Sequence, residues 1–235
     1  MLLDNSHFYY GYYMTEMLVL IGAIVCIIAS VVVKSTYKKY AKISNARRIT
    51  GAQAAEEILY SQGIRDVRIE YIRGNLTDHY DSKNKVLRLS DATYNSTSVA
   101  ALGVAAHECG HAIQDQQNYM PLRMRHVLLP AANIGSRYGL PIVFFSLIFG
   151  LGTVFMNIGI IVFSFAVLFQ LVTLPVEFDA SKRAINVLET RGMCRSEELK
   201  MCKKVLSAAA MTYVAAAASS ILQLLRLVIL RNRSD

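Results

Sequence analysis

The sequence predicts a mostly α-helical membrane protein with a small antiparallel β-hairpin or sheet. Three observations carry that expectation. Of 235 residues, 54% are hydrophobic and 18% charged, and the apolar residues come in blocks, whereas a soluble domain of average composition disperses them. Two of those blocks, Met17 to Val33 and Leu140 to Leu174, contain no charged residue at all. About 20 such residues cross a bilayer core as a helix. Between the blocks, helical periodicity gives way to short alternating strand patterns.

The elements follow in order. Residues 1–16 hold Asp4 and Glu16 but no Lys or Arg, and Phe8, Tyr9, Tyr10, Tyr12 and Tyr13 form an aromatic cluster suited to a membrane interface. A signal peptide starts with a basic region, so an uncleaved anchor is expected, with 1–16 outside the cytoplasm. Residues 17–33 are the first span. Lys34, Lys38, Lys39, Lys42, Arg47 and Arg48 follow with no acid among them, which places residue 34 onward in the cytoplasm. Residues 34–126 form the cytoplasmic catalytic part. Within it, Thr50 to Gln62 reads as an amphipathic helix capped by Thr50 and stopped by Gly63. Val67 to Tyr71 reads as a strand. Leu76 to Tyr80 and Lys85 to Leu89 form a hairpin around residues 81–84. A helix over Thr97 to Gln114 comes next, and residues 115–126 are a polar connector.

Residues 127–174 are expected to be a transmembrane helical hairpin. A single helix over Leu140 to Leu174 would be about 52 Å long, too long for a core of about 30 Å. Two spans joined near Met156–Gly159 fit better, with Pro130 and Pro141 as kinks. The hairpin returns the chain to the cytoplasm for residues 175–204, where Lys182, Arg183, Arg191, Arg195, Lys200, Lys203 and Lys204 agree with that placement. Residues 205–230 are apolar but contain Gln223 and Arg226. They are either a fourth span or a membrane-associated helix.

The net charge of +8 is accounted for by basic residues flanking apolar segments, and no nucleic-acid-binding motif is present. Cys26, Cys109, Cys194 and Cys202 contain no Cys-x-x-Cys pair and describe no disulfide framework.

The chemistry centres on His107-Glu108-Cys109-Gly110-His111. Two histidines four apart share a helix face and reach one metal ion, and the glutamate between them is placed to take a proton from water. A catalytic zinc site needs a third protein ligand. The pattern H-E-x-x-H-x-x-G-x-x-H does not supply it, because Gln114 and Gln117 stand where its glycine and third histidine would be. The span Leu140 to Leu174 has no Asp. Glu177, just after Pro175, returns on the same side of the membrane as the histidines. Pro175 suits the first turn of a helix. Asp179 is the rival ligand, about 200° away on the helical wheel.

His107-Glu108-Cys109-Gly110-His111 with Glu177-Phe178-Asp179-Ala180-Ser181-Lys182-Arg183-Ala184 resembles the class of the HtpX and CAAX prenyl proteases. The chain is more closely similar to the YugP-type membrane zinc metallopeptidases of bacteria. That likeness extends to Thr50-Gly51-Ala52, Asp78-His79-Tyr80-Asp81, Leu87-Arg88-Leu89-Ser90 and Leu174-Pro175-Val176. It covers most of Lys34 to Leu227. It implies a zincin-like, gluzincin-type catalytic unit with one Zn²⁺ per chain, a cytoplasmic active site and hydrolysis of peptide bonds. The wider class has an acid where Ser181 stands, an acid that orients a zinc-bound histidine. That task falls here to Ser181, Asp179 or another group.

The expected function is therefore a membrane-bound zinc metalloendopeptidase of a multi-pass cell-membrane protein. His107, His111 and Glu177 are the metal ligands, and Glu108 is the general base toward a zinc-activated water. His79, Tyr213, Arg183 and His126 are candidates to stabilise the oxyanion. The expected partners are a protein or peptide substrate, membrane proteins among them, and the lipid bilayer. No nucleic-acid partner is expected. The competing readings are a non-catalytic membrane scaffold that keeps a metal site and a zinc hydrolase of non-peptide substrates.

Overall fold

A computed structural model describes the backbone of residues 3–233 and side chains from Thr15 to Arg233. The aromatic cluster at 8–13 lies outside the described side chains. The element order is α1 (Leu3–Tyr40), α2 (Gly51–Ser61), β1 (Arg68–Ile72), β2 (His79–Asp81), β3 (Val86–Ser90), α3 (Val99–Gln116), α4 (Met120–Phe149), α5 (Thr153–Thr190) and α6 (Ser196–Asn232). Parts of α1, α4, α5 and α6 are each long and apolar enough to cross a membrane. The chain divides into two compact units.

The first unit is helical and comprises Met1–Ala29, Met124–Leu174 and Thr212–Asp235. Its surface carries Ile21, Ile27, Ile28, Phe145, Ile148, Val154 and Ile161 exposed, a lipid-like exterior that water would not tolerate as one patch. Helices α4 and α5 touch through small residues. A Cβ on Gly135 would stand 2.5 Å from the Val162 carbonyl oxygen, and one on Gly139 would stand 2.6 Å from Phe163 Cβ. Small residues four apart let helix backbones approach where apolar burial offers no driving force. The α4–α5 turn is Gly150-Leu151-Gly152, with φ of +61° and +84° at its glycines, not Met156–Gly159. The two residues that suggested a turn there have helical roles: Gly159 faces Val143 and Asn157 accepts a hydrogen bond from Arg231 Nε at 3.1 Å. Arg226, buried, pairs with Glu16.

The second unit comprises Ser30–Arg123 and Pro175–Met211. Thr50 caps α2 in a reciprocal box with Gln53, and Gly63 ends the turn after it with φ +73°. The sheet order is β1-β3-β2. Strands β2 and β3 are the expected antiparallel hairpin. Strand β1 joins β3 in parallel, so the sheet is mixed. Alternation sets which face a strand buries but carries no information on its direction. Leu87 and Leu89 of β3, with Ala54, Ala55 and Ile58 of α2, pack on α3, and Val187, Leu188, Cys202 and Leu206 complete that core.

Two further expectations are corrected. The polar connector shrinks to residues 117–119, because α4 already starts at Met120. Pro175 does not begin a helix: it lies inside α5. A proline within a helix loses one backbone hydrogen bond, to the carbonyl four residues earlier, and α5 continues through that loss.

Candidate metal centre

Helix α3 is the centre's rigid carrier. Ser98 caps it, accepting from the Ala101 amide at 3.1 Å. Asn45, buried, donates to the Thr97 and Ile49 carbonyls at 2.6 and 2.8 Å and fixes the approach to that cap. From Val99 to Gln114 every residue is buried except Val104 and His107, which are half-buried. A helix apolar nearly all round is a core helix. Its polar members therefore need partners within the protein.

The second carrier is α5. A Cβ on Gly110 would stand 2.4 Å from the Ala180 carbonyl oxygen, so the absent side chain lets the two backbones touch. That contact brings Glu177 to the histidines. Glu177 Oε2 lies 3.2 Å from His107 Nε2 and 3.6 Å from His111 Nε2. The imidazole centroids are 4.8 Å apart with planes at 83°. One donor atom from each of the three residues falls within 4.8 Å of the others. Zinc bonds of about 2.0–2.1 Å at tetrahedral angles space their donors by about 3.3 Å. The donor set and its spacing thus fit zinc.

The outer nitrogens of both rings are held. Gln114 is fully buried, and its amide nitrogen donates to the Val176 carbonyl and to Asp179 Oδ2, each at 2.8 Å. Its carbonyl oxygen is therefore the atom 3.0 Å from His111 Nδ1. His111 donates from Nδ1, and Nε2 is left toward Glu177. Ser181 Oγ lies 3.1 Å from His107 Nδ1. Asp179 stands behind Gln114, paired with Arg183, and is not a member of the triad.

Residues 15–232 match the family described as "Putative neutral zinc metallopeptidase". The chain belongs to this family. The chain is also 46% identical over 199 residues, 84% of its length, to the "Putative membrane protease YugP" of Bacillus subtilis (strain 168), of which the match covers 88%. No solved structure matches it.

Glu108 is buried, and its carboxylate has no hydrogen-bond partner among the described residues. Burial raises its pKa above the ordinary carboxylate range; the nearby histidines oppose the rise, and Glu177 and Asp78 add to it. Glu177 shows the opposite balance. Burial disfavours its charge, but the hydrogen bond to His107 and the close His111 ring outweigh that and depress its pKa. For His111, burial disfavours the cation, and Glu177, Glu108 and Gln114 overcome it, so its pKa is raised.

The other expected residues lie on several elements. His79 lies on β2, with Nδ1 2.9 Å from the Thr77 carbonyl and Nε2 3.4 Å from Arg88, outside the triad. Arg183 is engaged by Asp179 and Gln117. His126 and Tyr213 belong to the helical unit. Sequence reasoning missed Gln114 and Gly110. A signal for each was present: Gln114 sits one turn beyond His111 on an apolar helix, and a glycine inside a helix points to close packing.

Proposed function

We propose that the chain is a multi-pass cell-membrane endopeptidase that hydrolyses peptide bonds on the cytoplasmic side, with one Zn²⁺ per chain. The observation that carries this reading is the buried, unengaged Glu108 carboxylate flanked by a three-donor cluster spaced 3.2 and 3.6 Å. His107, His111 and Glu177 hold the metal. The chemistry zinc supplies when bound is Lewis acidity, which acidifies water and polarises a carbonyl.

The side chains divide the remaining work. Glu108, its proton affinity raised by burial, accepts a proton from the attacking water on a carboxylate oxygen and passes it to the leaving amine nitrogen. Ser181 and Gln114 lock the imidazoles so that their inner nitrogens do not turn away. The substrate runs extended along the outer edge of β2, adding a strand to the sheet. Tyr80 of that strand donates to Asp115 of α3 at 2.8 Å, which ties the edge to the helix of the histidines. The basic run from Lys34 to Arg48 after an uncharged helix supports a cytoplasmic face. Proteins of the same membrane are its natural substrates.

The test uses the purified full chain, measuring zinc content and casein cleavage with and without chelator. Wild type should carry about one zinc and cleave casein, and chelation should stop cleavage. Glu108→Ala should retain zinc and lose cleavage by about 10²- to 10⁴-fold, the range of general acid–base catalysis. Cleavage at the wild-type rate by Glu108→Ala would overturn the mechanism. Metal-loaded wild type that cleaves no peptide bond would overturn the peptidase reading.

A further inference from the structure

Helices α1 and α6 each change from uncharged to basic over a few residues. In α1 the uncharged stretch ends at Val33, and Lys34, Lys38 and Lys39 follow. In α6, Lys200, Lys203 and Lys204 precede an uncharged stretch from Val205 to Leu225. The two transitions meet in one groove of about 520 Å³ in the second unit, lined among others by Val32, Lys39, Lys203, Lys204, Ser207 and Met211. One end is aliphatic, with Val32 and Met211 both exposed. The other end holds three ammonium groups. An adjoining groove of about 550 Å³ shares Lys39, Lys203 and Lys204 and adds Lys200.

Among the described residues no carboxylate forms an ion pair with Lys39, Lys203 or Lys204. Glu197, the acid of the adjoining wall, is paired with Lys200 at 2.7 Å and feels Lys204 only through space, and Lys39 lies over the Tyr40 ring. Three like charges lining one groove repel one another and favour a shared anion. The aliphatic end selects what that anion is attached to, since it lies where both helices become uncharged enough to enter a bilayer.

We propose that this groove binds an anionic phospholipid, with the phosphate among Lys39, Lys203 and Lys204 and an acyl chain along Val32 and Met211. Basic pockets between membrane helices at the cytoplasmic boundary have the chemistry for such headgroups. Ser207 adds a hydroxyl for the phosphate or glycerol oxygens. The site is independent of the peptidase reading, because none of its residues belongs to the metal centre.

The experiment titrates the full chain in neutral detergent with phosphatidylglycerol or phosphatidylcholine and counts bound lipid by native mass spectrometry. Phosphatidylglycerol should stay bound and phosphatidylcholine should not. Each lysine near a membrane surface is worth about a fivefold change in affinity, so K39Q/K203Q/K204Q should weaken binding by about a hundredfold. K39R/K203R/K204R should stay near wild type. K34Q/K38Q/K42Q, which removes the same charge outside the groove, should also stay near wild type. Equal losses in the two glutamine triples would reduce the effect to diffuse charge and overturn the site. So would loss of binding in the arginine triple, equal retention of phosphatidylcholine, or displacement by millimolar inorganic phosphate.

Discussion

Replacing Gly110 by alanine tests whether the α3–α5 contact is what assembles the metal centre. The added Cβ would stand 2.4 Å from the Ala180 carbonyl oxygen, 3.0 Å from its carbon and 3.1 Å from its Cα. All three atoms are backbone, so no rotamer relieves the clash. Ordinary contact begins near 3.4 Å, so α5 must retreat by about 1 Å at Ala180 to restore a normal distance. Ala180 lies between Glu177 and Ser181, so the retreat carries away both the proposed third ligand and the partner of His107. Stability is a near balance. Alanine gains about 1 kcal/mol over glycine in a helix, and overpacking costs about 1–3 kcal/mol. The variant should therefore fold, with a small loss in Tm. Zinc affinity should fall by at least the 10- to 100-fold seen when a supporting partner is lost, and casein cleavage by about 10²-fold for a 1 Å misplacement. Competition against a chromogenic chelator measures the first, and casein hydrolysis at saturating zinc the second. Gly103→Ala is the control: its Cβ would meet Cys202 at 3.5–3.6 Å, ordinary contact, so it should bind zinc normally with unchanged or higher Tm. Wild-type zinc affinity and cleavage in Gly110→Ala would refute the packing argument.

Two further predictions concern the histidine partners and pH. Ser181→Ala, which strips the oxygen 3.1 Å from His107 Nδ1, should lower zinc affinity about 10- to 100-fold with little change in Tm. Gln114→Ala should lower both, because the buried Val176 carbonyl loses its partner at about 1–3 kcal/mol; an unchanged Kd in both variants would remove their positioning role. In the metal-free protein, Glu177 has a depressed pKa, so its contribution is present above its ordinary value of 4.5 and lost as pH falls through the folded value. His111 has a raised pKa, so its contribution is present below 6.5 and lost as pH rises through the folded value. The Tm difference between metal-free wild type and Glu177→Gln should therefore be largest between about pH 4.5 and 6.5 and shrink as pH rises through the raised value of His111; a difference that grows as pH rises above 6.5 would contradict this pairing.

The parts of the site that were legible in the sequence are those set by local geometry or by simple charge counting. His107 and His111 share a face because any helix puts residues four apart together. Glu177 followed from where the basic residues lie, and the structure brings it to the two histidines. The α2 cap and the β2–β3 hairpin likewise rest on short-range rules. What failed depends on partners distant in sequence. Asn157 and Gly159 resemble turn residues, yet one binds Arg231 and the other lets α5 touch α4. Pro175 resembles a helix start, yet packing carries α5 through it. The parallel pairing of β1 could not be read from alternation, and Gln114 stood out only as a missing glycine until Val176 and Asp179 were seen to hold it.

Those partners also explain how the centre manages without an acid at position 181. A bound dication there would face two carboxylates close by, Glu177 and Glu108, which together balance its charge. The groups behind the histidines add none: Ser181 is a neutral hydroxyl on His107, and Gln114 a neutral amide on His111. The next charge outward, Asp179, is already matched by Arg183. An acid in place of Ser181 would add a third negative charge beside a buried Glu108 whose pKa is already raised by burial, with Glu177 and Asp78 adding to the rise, and would raise it further. Too high a pKa keeps a general base protonated at neutral pH and useless for accepting a proton. A neutral shell orients the rings by hydrogen bonding alone and adds nothing to that rise. The serine is thus compatible with the chemistry, and the orienting task is divided between two side chains, one from each helix of the centre.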